Sequence, residues 1–181
     1  MKELEVRFKI DTDKNLSKLL SYLSENYDYI DSSNQKDSYY KEHGKEKEGD
    51  IPGSYILRIR EESKQFLATK KETVSEGLWI ESEVKLDESQ SSFLKDVLNL
   101  GFKRIMVIDK KREAYKQGNV TINIDNIKGL GQFLEAEILG NFSENDKLLF
   151  TQKVKNEFSF LKPKVVTEGY VQMMREKNEI N

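Results

Sequence analysis

The sequence predicts one α+β domain in which antiparallel strands close into a barrel or tunnel with an ionic interior, and helices pack outside. Three observations predict it. Strand-like segments recur with one apolar and one charged face. The charged faces repeat two signatures, Glu-x-Glu and paired cations. Amphipathic helices elsewhere in the chain need apolar surfaces to cover. The 181 residues suit a single domain, residues 1–181, with a sizeable core, and no low-complexity linker divides them.

Residues 2–10 read as the first strand, because Glu3, Glu5, Arg7 and Lys9 alternate with Leu4, Val6, Phe8 and Ile10. Asp11, Thr12 or Asp13 can cap a helix carrying Leu16, Leu19, Leu20 and Leu23 at helical spacing. Short strands are expected through Tyr29 and Ile30 and over Ser38–Lys41. Residues 42–53 hold three Gly, one Pro and six charges, which predicts a loop and a candidate lid. A hairpin is expected over Tyr55–Glu62 and Gln65–Thr73, then a strand over Leu78–Leu86. Asp87–Leu100 reads as a helix with Phe93, Leu94, Val97 and Leu98 on its apolar side and Gly101 as its stop. Strands follow near 103–115, 119–126 and 132–139, then helices over 144–160 and 167–177.

The 30 basic and 32 acidic residues leave a net charge of −2, so no global charge points to nucleic acid or an acidic membrane as partner. Without cysteine there are no disulfides, thiolates or Cys-based zinc sites, and the single histidine, His43, falls in the polar loop. Neither a signal peptide nor an apolar run of spanning length is read, and the cytoplasm is the expected location.

The ionic pattern carries the function. Glu81 and Glu83 alternate with Ile80 and Val84, and Glu135 and Glu137 with Leu134 and Ile138. Paired cations stand at Arg58 and Arg60 and in Lys110-Lys111-Arg112, while Asp125 ends the strand Val120–Ile124. If helices cover the apolar faces, the ionic faces turn inward. Burying so many charges is unfavourable unless they pair, bind ions or stay wet. A wet channel holding a polyanion and a divalent cation meets these conditions. Carboxylates suit Mg²⁺ or Mn²⁺, and converging Arg and Lys suit a triphosphate. An open sheet with helices on one face and cross-strand salt-bridge ladders on the other explains the same residues.

These residues resemble the CYTH superfamily, the triphosphate tunnel metalloenzymes, from Glu3 to about Tyr170. Glu3-Leu4-Glu5-Val6-Arg7 is similar to the Glu-x-Glu-x-Lys signature, and Gln35–Tyr40 to Gln-x-Asp-x-Tyr-Phe. Leu57-Arg58-Ile59-Arg60 matches the Leu-Arg-Ile-Arg strand, and Leu67–Lys70 resembles Leu-Thr-x-Lys. Lys110-Lys111-Arg112 with Tyr115 resembles the later Lys-x-Arg strand. Residues 124–137 resemble the Asp…Gly-Leu-Gly-x-Phe-x-Glu-x-Glu block. The resemblance implies an eight-stranded antiparallel tunnel and displaces the open sheet.

By matching position, the resemblance makes Glu3, Glu5, Asp125, Glu135 and Glu137 the metal carboxylates, for Mg²⁺ or Mn²⁺. Glu81 and Glu83 are further candidates, either as metal-site carboxylates or as acids that orient the cations, and Tyr39 is a further candidate. Arg7, Lys9, Arg58, Arg60, Lys70, Lys110 and Arg112 would grip the triphosphate, with Arg7, Lys9 and Lys70 as candidates for direct catalysis. Two departures stand out. Arg7 replaces the signature Lys and cannot act as a base, so Lys9 substitutes or no base is needed there. Trp79 stands where many members have Arg; it either packs as a large apolar side chain or stacks on a ring near the mouth. The opening strand is most like class IV adenylate cyclases, which form cyclic AMP and pyrophosphate from ATP. Hydrolysis of thiamine triphosphate or inorganic tripolyphosphate is the alternative, and a non-catalytic polyphosphate- or nucleotide-binding module is a third reading. Barrels of this kind often pair as homodimers.

Overall fold

The computed structural model describes residues 2–180. Its strands are β1 (Lys2–Ile10), β2 (Asp28–Glu42), β3 (Tyr55–Glu62), β4 (Gln65–Ser75), β5 (Leu78–Leu86), β6 (Phe102–Gln117), β7 (Val120–Ile127), β8 (Gly131–Gly140) and the short β9 (Val165–Val166). The helices are α1 (Asp13–Asn26), α2 (Glu88–Gly101), α3 (Glu144–Glu157) and α4 (Tyr170–Ile180). Eight antiparallel strands run β5-β4-β3-β2-β6-β7-β8-β1, and β1 pairs back to β5 to close the barrel. One edge of β1 pairs with β8 along its whole length, Lys2 opposite Gly140 through Ile10 opposite Gln132. The other edge is divided: residues 2–4 pair with β5, and Arg7 and Phe8 pair with β9.

The apolar faces explain why the hydrophobic core lies outside the barrel. Leu4, Val6, Phe8 and Ile10 of β1, Ile122 and Ile124 of β7, and Leu134 and Ala136 of β8 are buried against Leu19 and Leu23 of α1 and Phe150 and Val154 of α3. A smaller cluster joins Leu94 and Leu98 of α2 to Tyr40, Leu57 and Ile59. Local signals start the helices. Thr12 caps α1 by accepting from the Asn15 amide, and Asp87–Gln90 and Ser143–Asp146 form capping boxes on α2 and α3.

The structure corrects several expected elements. The two short strands near residues 29–30 and 38–41 are one fifteen-residue strand, β2, paired with β6 and interrupted by irregularities at Tyr29/Asp31 and Tyr39/Tyr40. Helix α2 buries Ser91 and Leu98, while Phe93 is 71% and Val97 42% exposed, so the apolar side was placed too far round the helix. Helix α3 ends at Glu157 and passes into a 3₁₀ turn, Ser159–Leu161. Strand β9 was not anticipated, and α4 starts at Tyr170 rather than at 167. Among the described residues no helix is long and apolar enough to cross a membrane.

Candidate active site

The inward positions of the strands enclose a cavity of about 400 Å³. Register fixes its walls. Arg58 is opposite Thr69 on one side and Tyr39 on the other, Lys71 opposite Glu81, Glu5 opposite Glu137, and Arg7 opposite Glu135. Alternation carries Glu3 and Arg60 to the same interior.

One half of the site is built around guanidinium groups. Arg112 donates to the two oxygens of Asp125 at 2.7 and 2.6 Å and to Glu135 at 2.5 Å. Arg7 donates to Glu135 Oε1 at 2.8 and 2.6 Å, to Glu5, and to the Glu168 carbonyl at 2.8 Å. Its guanidinium lies 4.1 Å from the centre of the Tyr170 ring. Lys110 Nζ and the Tyr170 hydroxyl donate to Asp125 at 3.0 and 3.2 Å. Arg60 grips both oxygens of buried Asp37 at 2.7 and 2.8 Å. Arg58 donates to Thr69 at 2.9 Å, but its buried Nε has no partner among the described residues. An unmet guanidinium donor facing a cavity is the kind of group an anion satisfies.

The other half is built around one ammonium. Lys71 Nζ stands 3.0 Å from Glu3, 3.5 Å from Glu5 and 2.9 Å from Glu81, and 4.2 Å from the centre of the Trp79 ring.

These surroundings set the protonation states. Burial pushes the Glu5 carboxyl up to about 8, even though Arg7 pulls it down. Burial, with Glu3 close by, raises Glu137 to about 7. Burial also opposes ionisation of Glu135, but Arg7 and Arg112 overcome it and hold that carboxyl well below its ordinary value. Burial and then Arg112 lower the Lys110 ammonium to about 8. The carboxylates around Lys71 outweigh its burial and keep it firmly protonated.

Of the residues expected at the site, Glu3, Glu5, Arg7, Tyr39, Arg58, Arg60, Glu81, Glu83, Lys110, Arg112, Glu135 and Glu137 line the cavity. Three do not. Lys9 keeps the inward parity of β1 but is exposed outside the cavity. Lys70 points outward, exposed, onto Glu72 at 2.8 Å and over the Tyr55 ring, because the hairpin register turns Thr69 and Lys71 inward. Asp125 is fully buried beneath the cavity lining, covered by Lys110 and Arg112, from which it accepts hydrogen bonds. Trp79 is 7% exposed, lines the cavity and packs under Lys71. The expected lid loop contributes Asp50 to the lining and meets α4, where Arg175 donates to the Glu46 carbonyl at 2.5 Å.

Sequence reasoning missed Lys71, Asp37 and Tyr170. Strand parity would have found Lys71, since it alternates with Thr69 and Thr73. Asp37 lay in a motif already noted. Tyr170 reaches the site only through the docking of α4, and no local pattern marks it.

The donor set fits a hard divalent ion. Mg²⁺ and Mn²⁺ take oxygen ligands, and Glu3, Glu5 and Glu81 already gather around a stand-in cation, the Lys71 ammonium. Among the described residues no three Asp, Glu or His side chains are grouped closely enough to share a metal as they stand. Their oxygens are turned onto Lys71, Arg7 and Arg112.

Comparison with known proteins agrees with this architecture. The chain is 30% identical over 181 residues to a Methanocaldococcus jannaschii protein named "putative adenylate cyclase", covering 96% of this chain and 98% of that one. A conserved hypothetical protein of Pyrococcus furiosus superposes with a TM-score of 0.75 at 25% identity, covering 94% of this chain and 98% of that one. A Hippeastrum protein, described as a "putative adenylyl cyclase" with a dominant triphosphatase activity, gives 0.59 at 16% identity, covering 93% and 90%. The CYTH domain match spans residues 1–170, and with a closed eight-stranded barrel of ionic interior already in place, the chain belongs to the CYTH domain family.

Proposed function

We propose that this protein is a divalent-metal-dependent enzyme acting on a triphosphate held in the barrel, and that its reaction closes ATP to cyclic AMP with release of pyrophosphate. The observation that carries the reading is the meeting, in one cavity, of the cations Arg58, Arg60, Lys110 and Arg112 with the acids Glu3, Glu5, Glu135 and Glu137. The cations bind phosphate oxygens and neutralise the charge that builds on the leaving pyrophosphate. Asp125 and Asp37 hold Arg112 and Arg60 in position, and Arg7 orients Glu5 and Glu135. Glu3, Glu5, Glu135 and Glu137 would hold Mg²⁺ or Mn²⁺, which supplies Lewis-acid polarisation of phosphate oxygens. In the reaction the ribose 3′-oxygen bonds to the α-phosphorus as the bond to the bridging oxygen breaks; pyrophosphate leaves with that electron pair, and the hydroxyl proton passes to water.

Strand β1 supports cyclisation over hydrolysis. Arg7 cannot accept a proton and Lys9 lies outside the cavity, so the strand offers no amine to activate water. The name of the Methanocaldococcus jannaschii relative agrees. Hydrolysis is the second reading, favoured by Lys110, an interior amine lowered to about 8 that can exchange a proton near neutral pH. The test incubates the purified protein with Mg²⁺ or Mn²⁺ and, separately, ATP, thiamine triphosphate and tripolyphosphate. Cyclic AMP with pyrophosphate is expected; orthophosphate without a cyclic product would establish the triphosphatase instead. Tight triphosphate binding without turnover would leave a binding module.

A further inference from the structure

We infer that Lys71 is a resident counter-ion that occupies the acidic end of the cavity in the metal-free protein and moves onto the substrate's phosphates when a divalent ion takes its place. This rests on the metal-dependent reading above.

The acidic end of the cavity already holds one cation, the Lys71 ammonium. Three carboxylates from two strands, Glu3, Glu5 and Glu81, converge on one ammonium at 3.0, 3.5 and 2.9 Å. The other lysine of the cavity, Lys110, has a single carboxylate partner among the described residues, Asp125 at 3.0 Å. The Trp79 ring closes over the ammonium at 4.2 Å. A compact, strongly hydrated charge on a flexible stem suits exchange better than a guanidinium fork, which is fixed by its planar contacts. The interior guanidiniums here are indeed fixed, Arg7 and Arg112 by several acceptors each.

A divalent ion held by Glu3 and Glu5 would draw on two of the three carboxylates that hold the ammonium and would repel it, so metal and ammonium compete for that pair. Substrate resolves the competition. Arg58, whose buried Nε lacks a partner among the described residues, lines the same cavity, so a phosphate drawn to that wall offers the displaced ammonium new oxygens. Metal and triphosphate should therefore bind in support of each other, and the protein should hold free metal weakly.

The test measures binding rather than turnover. Mn²⁺ affinity is measured by electron paramagnetic resonance, without phosphate, for the wild-type protein, Lys71→Met, Lys71→Arg and Arg58→Met. Lys71→Met should bind Mn²⁺ at least tenfold more tightly than wild type, and should bind tripolyphosphate at saturating Mn²⁺ at least fivefold more weakly. Opposite changes from one substitution separate counter-ion exchange from a loosened structure, which would weaken both. Arg58→Met, which removes an equal charge from the same cavity, should change Mn²⁺ affinity less than threefold. Lys71→Arg, whose fork stays on the carboxylates, should bind Mn²⁺ more weakly than wild type. Should Lys71→Met fail to fold, nitrogen NMR of the wild-type Lys71 ammonium decides: its signal should shift on Mg²⁺ saturation, and a signal that stays put overturns the proposal. Mn²⁺ binding that ignores Lys71 overturns this proposal alone. No Mn²⁺ binding by any of the proteins, with or without tripolyphosphate, overturns the metal-dependent reading and this proposal with it.

Discussion

Glu135 and Glu137 point to the same side of β8, yet their surroundings give them opposite energetic roles. Glu135 is 3% exposed and accepts from both Arg7 and Arg112. Removing it leaves two buried guanidiniums short of an acceptor, and breaking such a pair costs about 3–5 kcal/mol. Glu137 has no such partner among the described residues, and burial with nearby Glu3 raises its carboxyl to about 7. Replacing it by a neutral side chain removes a repulsion. Glu135→Ala should therefore lose about 3–5 kcal/mol in urea unfolding, while Glu137→Gln should be unchanged or slightly more stable. Both should lose metal-dependent activity. Equal destabilisation by the two would show that the carboxylates are interchangeable supports and refute the distinction.

At the scale of elements, the barrel depends on a short seam between β1 and β5. Among the described residues only 2–4 pair there, and the Glu5 amide extends the contact by donating to the Gly77 carbonyl at 2.9 Å. Gly77 holds a φ of +70°, and a Cβ at that position would stand 2.9 Å from the Glu5 backbone oxygen. Neither backbone can yield without parting the seam. Gly77→Ala should cost about 2–3 kcal/mol and lower the Tm by about 4–12 °C. Gly118→Ala, at a φ of +59° but in open space, should cost only about 1 kcal/mol. Equal shifts in the two would mean that backbone conformation alone, not the seam, sets the loss. Much of this element plan was legible. The alternation of β1 and β8 predicts which faces turn inward, because period-2 patterning leaves no freedom once one face is apolar. Strand β2 was legible only in pieces, since Ser32–Lys36 carries no apolar residue to mark the strand and is held there by β6. The motif match points to Lys70 and passes over Lys71 because it fixes neighbourhood, whereas hairpin register decides which side chain faces in. Tyr170 was illegible because it comes to Asp125 from 45 residues away on a separate helix.

For the whole molecule, an interior of coupled charges makes stability depend on pH in an unusual direction. Glu5 and Glu137 have folded-state carboxyl values of about 8 and about 7, above the ordinary 4.5. The folded metal-free protein therefore holds more protons than the unfolded chain between pH 4.5 and 8. Linkage then requires stability to rise as pH falls through that window. Glu135, Asp125 and Asp37 are depressed by their arginines and work the other way. Their contribution is present above the unfolded carboxylate values and is lost as pH falls further, below about 4. Lys110, lowered to about 8, opposes the trend only above that pH. The Tm of the metal-free protein should thus climb by about 5 °C or more between pH 8 and 5.5, then collapse on further acidification. A divalent ion that takes Glu3, Glu5, Glu135 and Glu137 as ligands must displace the protons on Glu5 and Glu137. Saturating Mg²⁺ should then remove the acid-side climb and raise the Tm most at pH 8. Calorimetry in two buffers of different ionisation enthalpy should find protons released on Mg²⁺ binding at pH 6.5. A Tm that falls steadily from pH 8 to 5.5 without metal would show that Glu5 and Glu137 are ionised in the resting barrel, and the exchange of protons for metal would be lost with it.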